Sequence, residues 1–172
     1  IHLPAQSGSS RVLKAMRRTY DRDRYLALVD RIREGVPGIA LTTDIIVGFP
    51  GETQADLDEL ERFLTHARLD AIGIFGYSQE DGTEAADFKD ALAQELVDER
   101  VKSLNSIAEE LMSQKAHSRI NSEVEVLVEA NDEDGVTGRT REQGPEVDGI
   151  TTILNSNASV GDLVKAVVGV IY

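Results

Sequence analysis

The chain has 172 residues, 41% of them hydrophobic, and a formal charge of -13, which allows one large or two small packed domains and argues against disorder throughout. It contains no cysteine, so disulfides, thiolate metal sites and thiol chemistry are excluded from these residues and any Cys-held cluster must lie outside them. No run of about 18 apolar residues and no basic-then-apolar leader occur; a cytoplasmic protein without membrane association is expected, and a start at Ile1 with no initiator Met reads as a piece of a longer protein.

Leu3 to Gln6 fits a short strand, after which Ser7-Gly8-Ser9-Ser10 turns the chain and offers an N-cap to a basic helix over residues 11–18. Asp21 caps the next helix, where Tyr25, Leu28, Val29 and Ile32 form one apolar stripe. Residues 39–49, rich in Ile, Leu, Thr and Val between breakers, predict a strand covered on both faces. Thr53 opens another helix, with Asp56 completing a capping box and Leu57, Leu60, Leu64 and Ala67 facing inward. Residues 70–78 predict a further strand and 79–83 its turn. Connections this short favour parallel strands with crossover helices. Val97, Val101, Leu104, Ala108 and Leu111 then mark one long helix over 94–118 that links two regions. From Ser122 the pattern alternates, with Val124, Val126 and Val128 on one face. Segments 136–141, 149–154 and 162–172 continue it around a hairpin turn at 131–135, predicting about five strands in a closed or nearly closed barrel.

The passage from Asp44 to Thr53 carries the most chemistry, because it runs an apolar strand through a Gly-Phe-Pro-Gly turn into a helix start. Such a passage presents backbone N–H groups and the Glu52 carboxylate to a small polar ligand, or serves only as a β-to-α turn. It lacks the Gly-Lys-Ser/Thr ending of a phosphate loop. Gln6, Ser7, Ser9 and Ser10 make a polar strand end, as Tyr77 and Ser78 do on the later strand, although capping explains the serines equally well. Arg11, Lys14, Arg17 and Arg18 form a basic face suited to a carboxylate or phosphate, or to water alone. His2, His66 and His117 share no ligand spacing and read as structural, so neither a metal site nor a catalytic nucleophile-base pair is expected.

Taken in order, His2-Leu-Pro-Ala-Gln-Ser-Gly-Ser9, Val12-Leu-Lys-Ala-Met-Arg-Arg18, the stretch Thr43 to Thr53, and Tyr77-Ser78 with Gly82-Thr83 resemble the methylthiotransferase branch of the radical S-adenosylmethionine enzymes. The resemblance covers the whole chain. It implies the second half of a radical α/β barrel over residues 1–90, a linking helix over 91–118 and a small all-β TRAM barrel over 119–172. It also implies S-adenosylmethionine and two 4Fe-4S clusters, with the cluster cysteines upstream of Ile1. These residues would then be inactive alone. Gln6, Ser7, Arg17, Gly48, Glu52 and Tyr77 are the residues expected to line the S-adenosylmethionine side of the barrel.

Two substrates compete within the branch. Residues 2–18 look closer to the member that modifies isopentenyl-adenosine in transfer RNA. Residues 56–64 and 67–85, Gly138-Arg-Thr140 and Pro145 to Gly149 are similar to the member that modifies an aspartate in small-subunit ribosomal protein twelve. Charge favours the second. Residues 1–34 hold eight Lys/Arg against four Asp/Glu, whereas residues 119–172 hold four against ten and a single aromatic, Tyr172. An RNA-gripping barrel needs cations and stacking rings, while an acidic one suits a basic ribosomal protein. Glu123, Glu125, Glu129, Asp132, Glu133 and Asp134 are expected to steer that partner; otherwise they only keep the barrel soluble. A non-catalytic acidic binding module is the reading from another class.

Overall fold

The computed structural model describes residues 1–80, 82–133, 135–144 and 149–169. The chain divides into two compact units, Ile1–Gln114 and Lys115–Tyr172. Among the described residues no helix is long and apolar enough to cross a membrane.

The first unit is built on a parallel pair, β1 (Thr42–Val47) and β2 (Ala71–Gly76), in register from Thr42 opposite Ala71 to Val47 opposite Gly76. Helix α3 (Gln54–Ala67) makes the crossover between them, as expected for parallel strands. Residues 2–6 run parallel beside β1 but form β-bridges with it only at His2 to Thr42 and Gln6 to Ile45. The expected first strand is therefore irregular, for two local reasons. Pro4 has no N–H to donate, and Gln6 sits at φ 67, in the left-handed region. The Thr43 side chain fills part of the gap: its Oγ1 accepts from Ala5 N–H at 2.8 Å and donates to the Leu3 carbonyl at 2.9 Å.

Helices α1 (Ser10–Ala15) and α2 (Arg22–Gly35) lead from this segment to β1. Asp21 caps α2 through the Arg24 N–H, as its position predicts. Tyr25 and Val29 are buried and Ile32 packs on the core as predicted, but Leu28 is 37% exposed and Leu26 packs on the core instead, because the buried stripe is turned toward the Leu26 side of the helix. Leu57, Leu60, Phe63, Leu64 and Ala67 of α3 are all buried over Leu41, Ile45 and Val47. Strand β1 alternates: Thr43, Ile45 and Val47 are buried, whereas Thr42, Asp44 and Ile46 are half-buried. Cover on both faces was expected. The helices close one face, and the other carries His2, Asp44, Gly73 and a Phe75 that is 55% exposed.

Helix α4 (Gln94–His117) is not a bare connector, since Val101, Leu104, Ala108 and Leu111 pack on this same core. It also covers β2, where the Ile72 N–H donates to Met112 Sδ at 3.2 Å. A 3-10 turn, η1 (Glu84–Asp87), precedes it.

The second unit holds an antiparallel sheet in the order β5-β4-β3-β6, from β3 (Glu123–Asp132), β4 (Gly135–Thr140), β5 (Thr151–Ile153) and β6 (Leu163–Val167). Val126, Val128, Val136 and Ile153 form its core. A bulge between Val128 and Ala130 shifts the β3/β4 register. Just before it the strands approach closely: a Cβ on Gly138 would lie 2.1 Å from the Leu127 carbonyl oxygen. Among the described residues there are four strands rather than about five, and no pairing closes β5 onto β6. Among those residues strand β5 is three residues long and β6 five, and both remain edges of an open sheet. The expected strand end at 170–172 and the turn residue Asp134 lie outside the described residues.

Candidate functional site

Strand β1 delivers the chain into the turn at Gly48, whose φ of 83 only glycine adopts without strain. Space imposes the same choice, because a Cβ there would lie 2.6 Å from Val97 Cγ2 of α4. Gly51, at φ 78, completes the turn. Glu52 then folds back, and its Oε1 accepts from the Gly48 N–H at 2.9 Å and from Arg100 Nη1 at 2.9 Å. The side chains of Glu52 and Arg100 are 1% and 10% exposed. Burial raises the Glu52 pKa, opposed by the Gly48 N–H and the Arg100 guanidinium. The Gly48 N–H and the Glu52 carboxylate, expected to face a ligand, are thus joined to each other and to α4.

A second carboxylate organises the neighbouring corner. Asp56 Oδ1 accepts from Ser9 Oγ at 2.7 Å and from Arg11 Nε at 3.1 Å, while Oδ2 accepts from Thr53 N–H at 2.8 Å, Thr53 Oγ1 at 2.6 Å and Arg11 Nη2. Burial pushes the Asp56 pKa up, but the hydrogen bonds from Arg11, Thr53 and Ser9 outweigh it and hold the group well below its ordinary 3.8. The capping box is legible in the sequence. Recruitment of Ser9 and Arg11 to it is not, because they lie 47 and 45 residues away.

Beside these two corners lies a cleft of about 250 Å³, lined by Ala15, Met16, Arg17, Arg18, Ile46, Phe49, Tyr77, Glu84, Ala85 and Phe88. Its aromatic wall is built edge to face, with Phe49 centred 5.3 Å from Tyr77 and 5.9 Å from Phe88. The Tyr77 hydroxyl is buried without a hydrogen-bond partner. Arg17, at φ 57, forms an ion pair with Glu84, and Arg18 Nη2 donates to Gln6 Oε1 at 2.7 Å. Of the six residues predicted to line a cofactor site, Arg17 and Tyr77 line this cleft and Gln6 reaches it through Arg18. Ser7 is 2% exposed, and its Oγ accepts from the Ser9 N–H at 3.2 Å; Ser7, Gly48 and Glu52 do not line the cleft. Phe49, Phe88 and Ile46 escaped the sequence reading, although a Phe between two turn glycines was a signal.

In the second unit Glu123, Glu125, Glu129, Asp132 and Glu133 are exposed along β3 and its turn. Glu129 pairs with Arg139 at 2.6 Å, and Glu125 stands opposite Lys165. Asp134 lies outside the described residues. His2 ties the N-terminal segment to β1: its ring nitrogens meet Thr42 Oγ1 at 2.9 Å and Asp44 Oδ2 at 3.2 Å. Among the described residues no group of three His, Asp or Glu side chains is placed to hold a metal ion.

Residues 1–64 match the family model of the Radical SAM superfamily, and residues 120–170 match that of the TRAM domain. The two segments are thus similar, in chain order, to part of a radical S-adenosylmethionine domain and to a TRAM domain. The chain is 52% identical over 170 residues to the ribosomal protein uS12 methylthiotransferase RimO of Streptomyces coelicolor, covering 95% of the chain and 34% of that protein. Identity is 48% over 163 residues to the RimO of Saccharopolyspora erythraea, covering 94% and 34%, and 50% over 171 residues to that of a Nocardioides species, covering 96% and 35%. The chain is similar to these RimO methylthiotransferases along nearly all of its own length and spans about a third of the length of these curated relatives.

Proposed function

We propose that the protein carrying this chain adds a methylthio group to the β-carbon of an aspartate in ribosomal protein uS12, in the cytoplasm. The observation that carries the reading is identity of about one half, running through both units, to proteins named for that activity. We read residues 1–90 as the second half of a radical-SAM barrel, 91–118 as the linking helix and 119–172 as a TRAM barrel. The chain has no cysteine, so the thiolates for two 4Fe-4S clusters come from elsewhere in the protein.

We read the cleft as the part of an S-adenosylmethionine site that this chain supplies; the cofactor when bound supplies a radical and a methyl group. Phe88, 36% exposed and backed by Phe49, offers an apolar surface to an adenine ring. The unpartnered Tyr77 hydroxyl offers a hydrogen bond that the chain itself leaves unmade. Arg17 and Arg18, which line the cleft, would take the carboxylate end in exchange for Glu84 and Gln6. Gly48 and Glu52 hold Phe49 in place, and Ser7 backs the loop that precedes α1.

On the second unit, the acids of β3 suit a basic ribosomal protein better than transfer RNA, whose phosphates they would repel. The test is to incubate the cluster-loaded full protein with S-adenosylmethionine, a sulfur source and uS12, then read uS12 peptides by mass spectrometry. A methylthio increment on one aspartate is expected. Unmodified uS12, with S-adenosylmethionine still cleaved, would overturn the reading.

A further inference from the structure

We propose that Arg100 is a positioning residue: through Glu52 it sets the Gly48–Glu52 turn, and with it Phe49, against the cleft. The inference rests on the reading of that cleft as a cofactor site. Helix α4 grips the turn at two points one helical turn apart. Val97 packs where a Gly48 side chain would be, and Arg100 Nη1 donates to both the Glu52 carboxylate at 2.9 Å and the Glu52 carbonyl at 3.2 Å. Between those points the turn carries Phe49, 5% exposed and in edge contact with Tyr77 and Phe88.

Stability alone is a poor reason for this pair. A buried ion pair gains little over well-packed apolar side chains, and here Arg100 Nε is left buried without a partner, a further cost. What the pair does supply is direction, because one planar guanidinium fixes a carboxylate that in turn fixes the Gly48 N–H. The charged groups around Glu52 are Arg100 from α4, Asp56 from α3 and Arg11 from α1. Without Arg100, burial and the Asp56 charge act on Glu52 with less opposition, so it takes up a proton at higher pH and its hold on Gly48 weakens.

The experiment uses the cluster-loaded full protein as wild type, R100Q, R100K, E52Q and the R100Q/E52Q double variant, with amide exchange at Gly48 and S-adenosylmethionine affinity as readouts. R100Q is expected to speed Gly48 exchange about tenfold and weaken the cofactor by a similar factor, since one charge-assisted hydrogen bond is lost. R100K restores part of both. The pH at which Gly48 protection fades rises in R100Q, which a packing defect would not cause. The double variant is no worse than the poorer single one, because both act through one carboxylate. Should R100Q not fold, R100K and E52Q carry the comparison, and E52Q must then show the faster Gly48 exchange. Wild type that binds no S-adenosylmethionine overturns the functional reading. Wild type that binds it, with R100Q or E52Q equal to it in affinity and Gly48 exchange, overturns the role of Arg100.

Discussion

Replacing Asp56 by alanine removes the acceptor shared by Ser9, Arg11 and Thr53, and the structure sets the size of the loss. Ending the cap costs about 1 kcal/mol. The Ser9 hydroxyl belongs to a residue 0% exposed, and leaving it unsatisfied costs about 1 to 3 kcal/mol. The Arg11 side chain is 57% exposed, so water takes over its bonds and its share stays below about 1 kcal/mol. The total is about 3 kcal/mol, against about 1 kcal/mol or less for R11A. Urea titration followed by far-UV circular dichroism reads this directly, because the helices lie almost wholly in the first unit. The pH dependence adds a second arm. Asp56 is held below its ordinary 3.8, so its contribution is fully present above that value and is lost as pH falls beneath it. D56A should lack that segment of the acid profile. A loss under about 1 kcal/mol, an R11A loss as large as that of D56A, or an unchanged acid profile would refute the reasoning.

Tyr77→Phe removes a buried hydroxyl with no partner, so the ligand-free protein should be unchanged or up to about 1 kcal/mol more stable, while S-adenosylmethionine binds several-fold more weakly by calorimetry. Stability lost without any change in affinity would place that hydroxyl outside the cofactor site. Gly138→Ala pushes a Cβ into the Leu127 carbonyl, and should cost the second unit more than about 2 kcal/mol, seen as faster hydrogen exchange across residues 123–140; unchanged exchange would contradict the close strand approach. E123K/E133K reverses two exposed charges on β3 and its turn. It should slow uS12 association about tenfold at low salt, with the difference shrinking as salt rises, and a salt-independent rate in both proteins would remove the steering role.

Local signals were legible and distant ones were not. Asp21, Thr53 and Asp56 announced two helix starts because a cap is made within three residues. The valines of β3 announced a strand because alternation is a property of the segment itself. Leu28 was misplaced since a helical stripe admits Leu26 nearly as well, and only packing chooses between them. The loss of regular pairing over residues 2–6 follows from Pro4, which was visible, and from the left-handed Gln6, which was not. Glu52 shows the deeper limit. Its carboxylate looked available to a ligand, and nothing within the turn reveals that Arg100, 48 residues on, claims it. Likewise, the strand-rich character of the second unit can be read from alternation and breakers, but whether a sheet closes depends on pairing between strands far apart in the chain. The cleft was half legible: Arg17 and Tyr77 lie at element ends where ligand sites gather, whereas Phe88 reaches it from a loop without periodicity.

The claim that this chain serves a protein substrate is tested most directly by competition. Equimolar uS12 and transfer RNA are offered in one reaction to the cluster-loaded full protein with S-adenosylmethionine and a sulfur source, and both are weighed by mass spectrometry. The account predicts the methylthio increment on a uS12 aspartate and unmodified RNA. An increment on the RNA with uS12 untouched would contradict it.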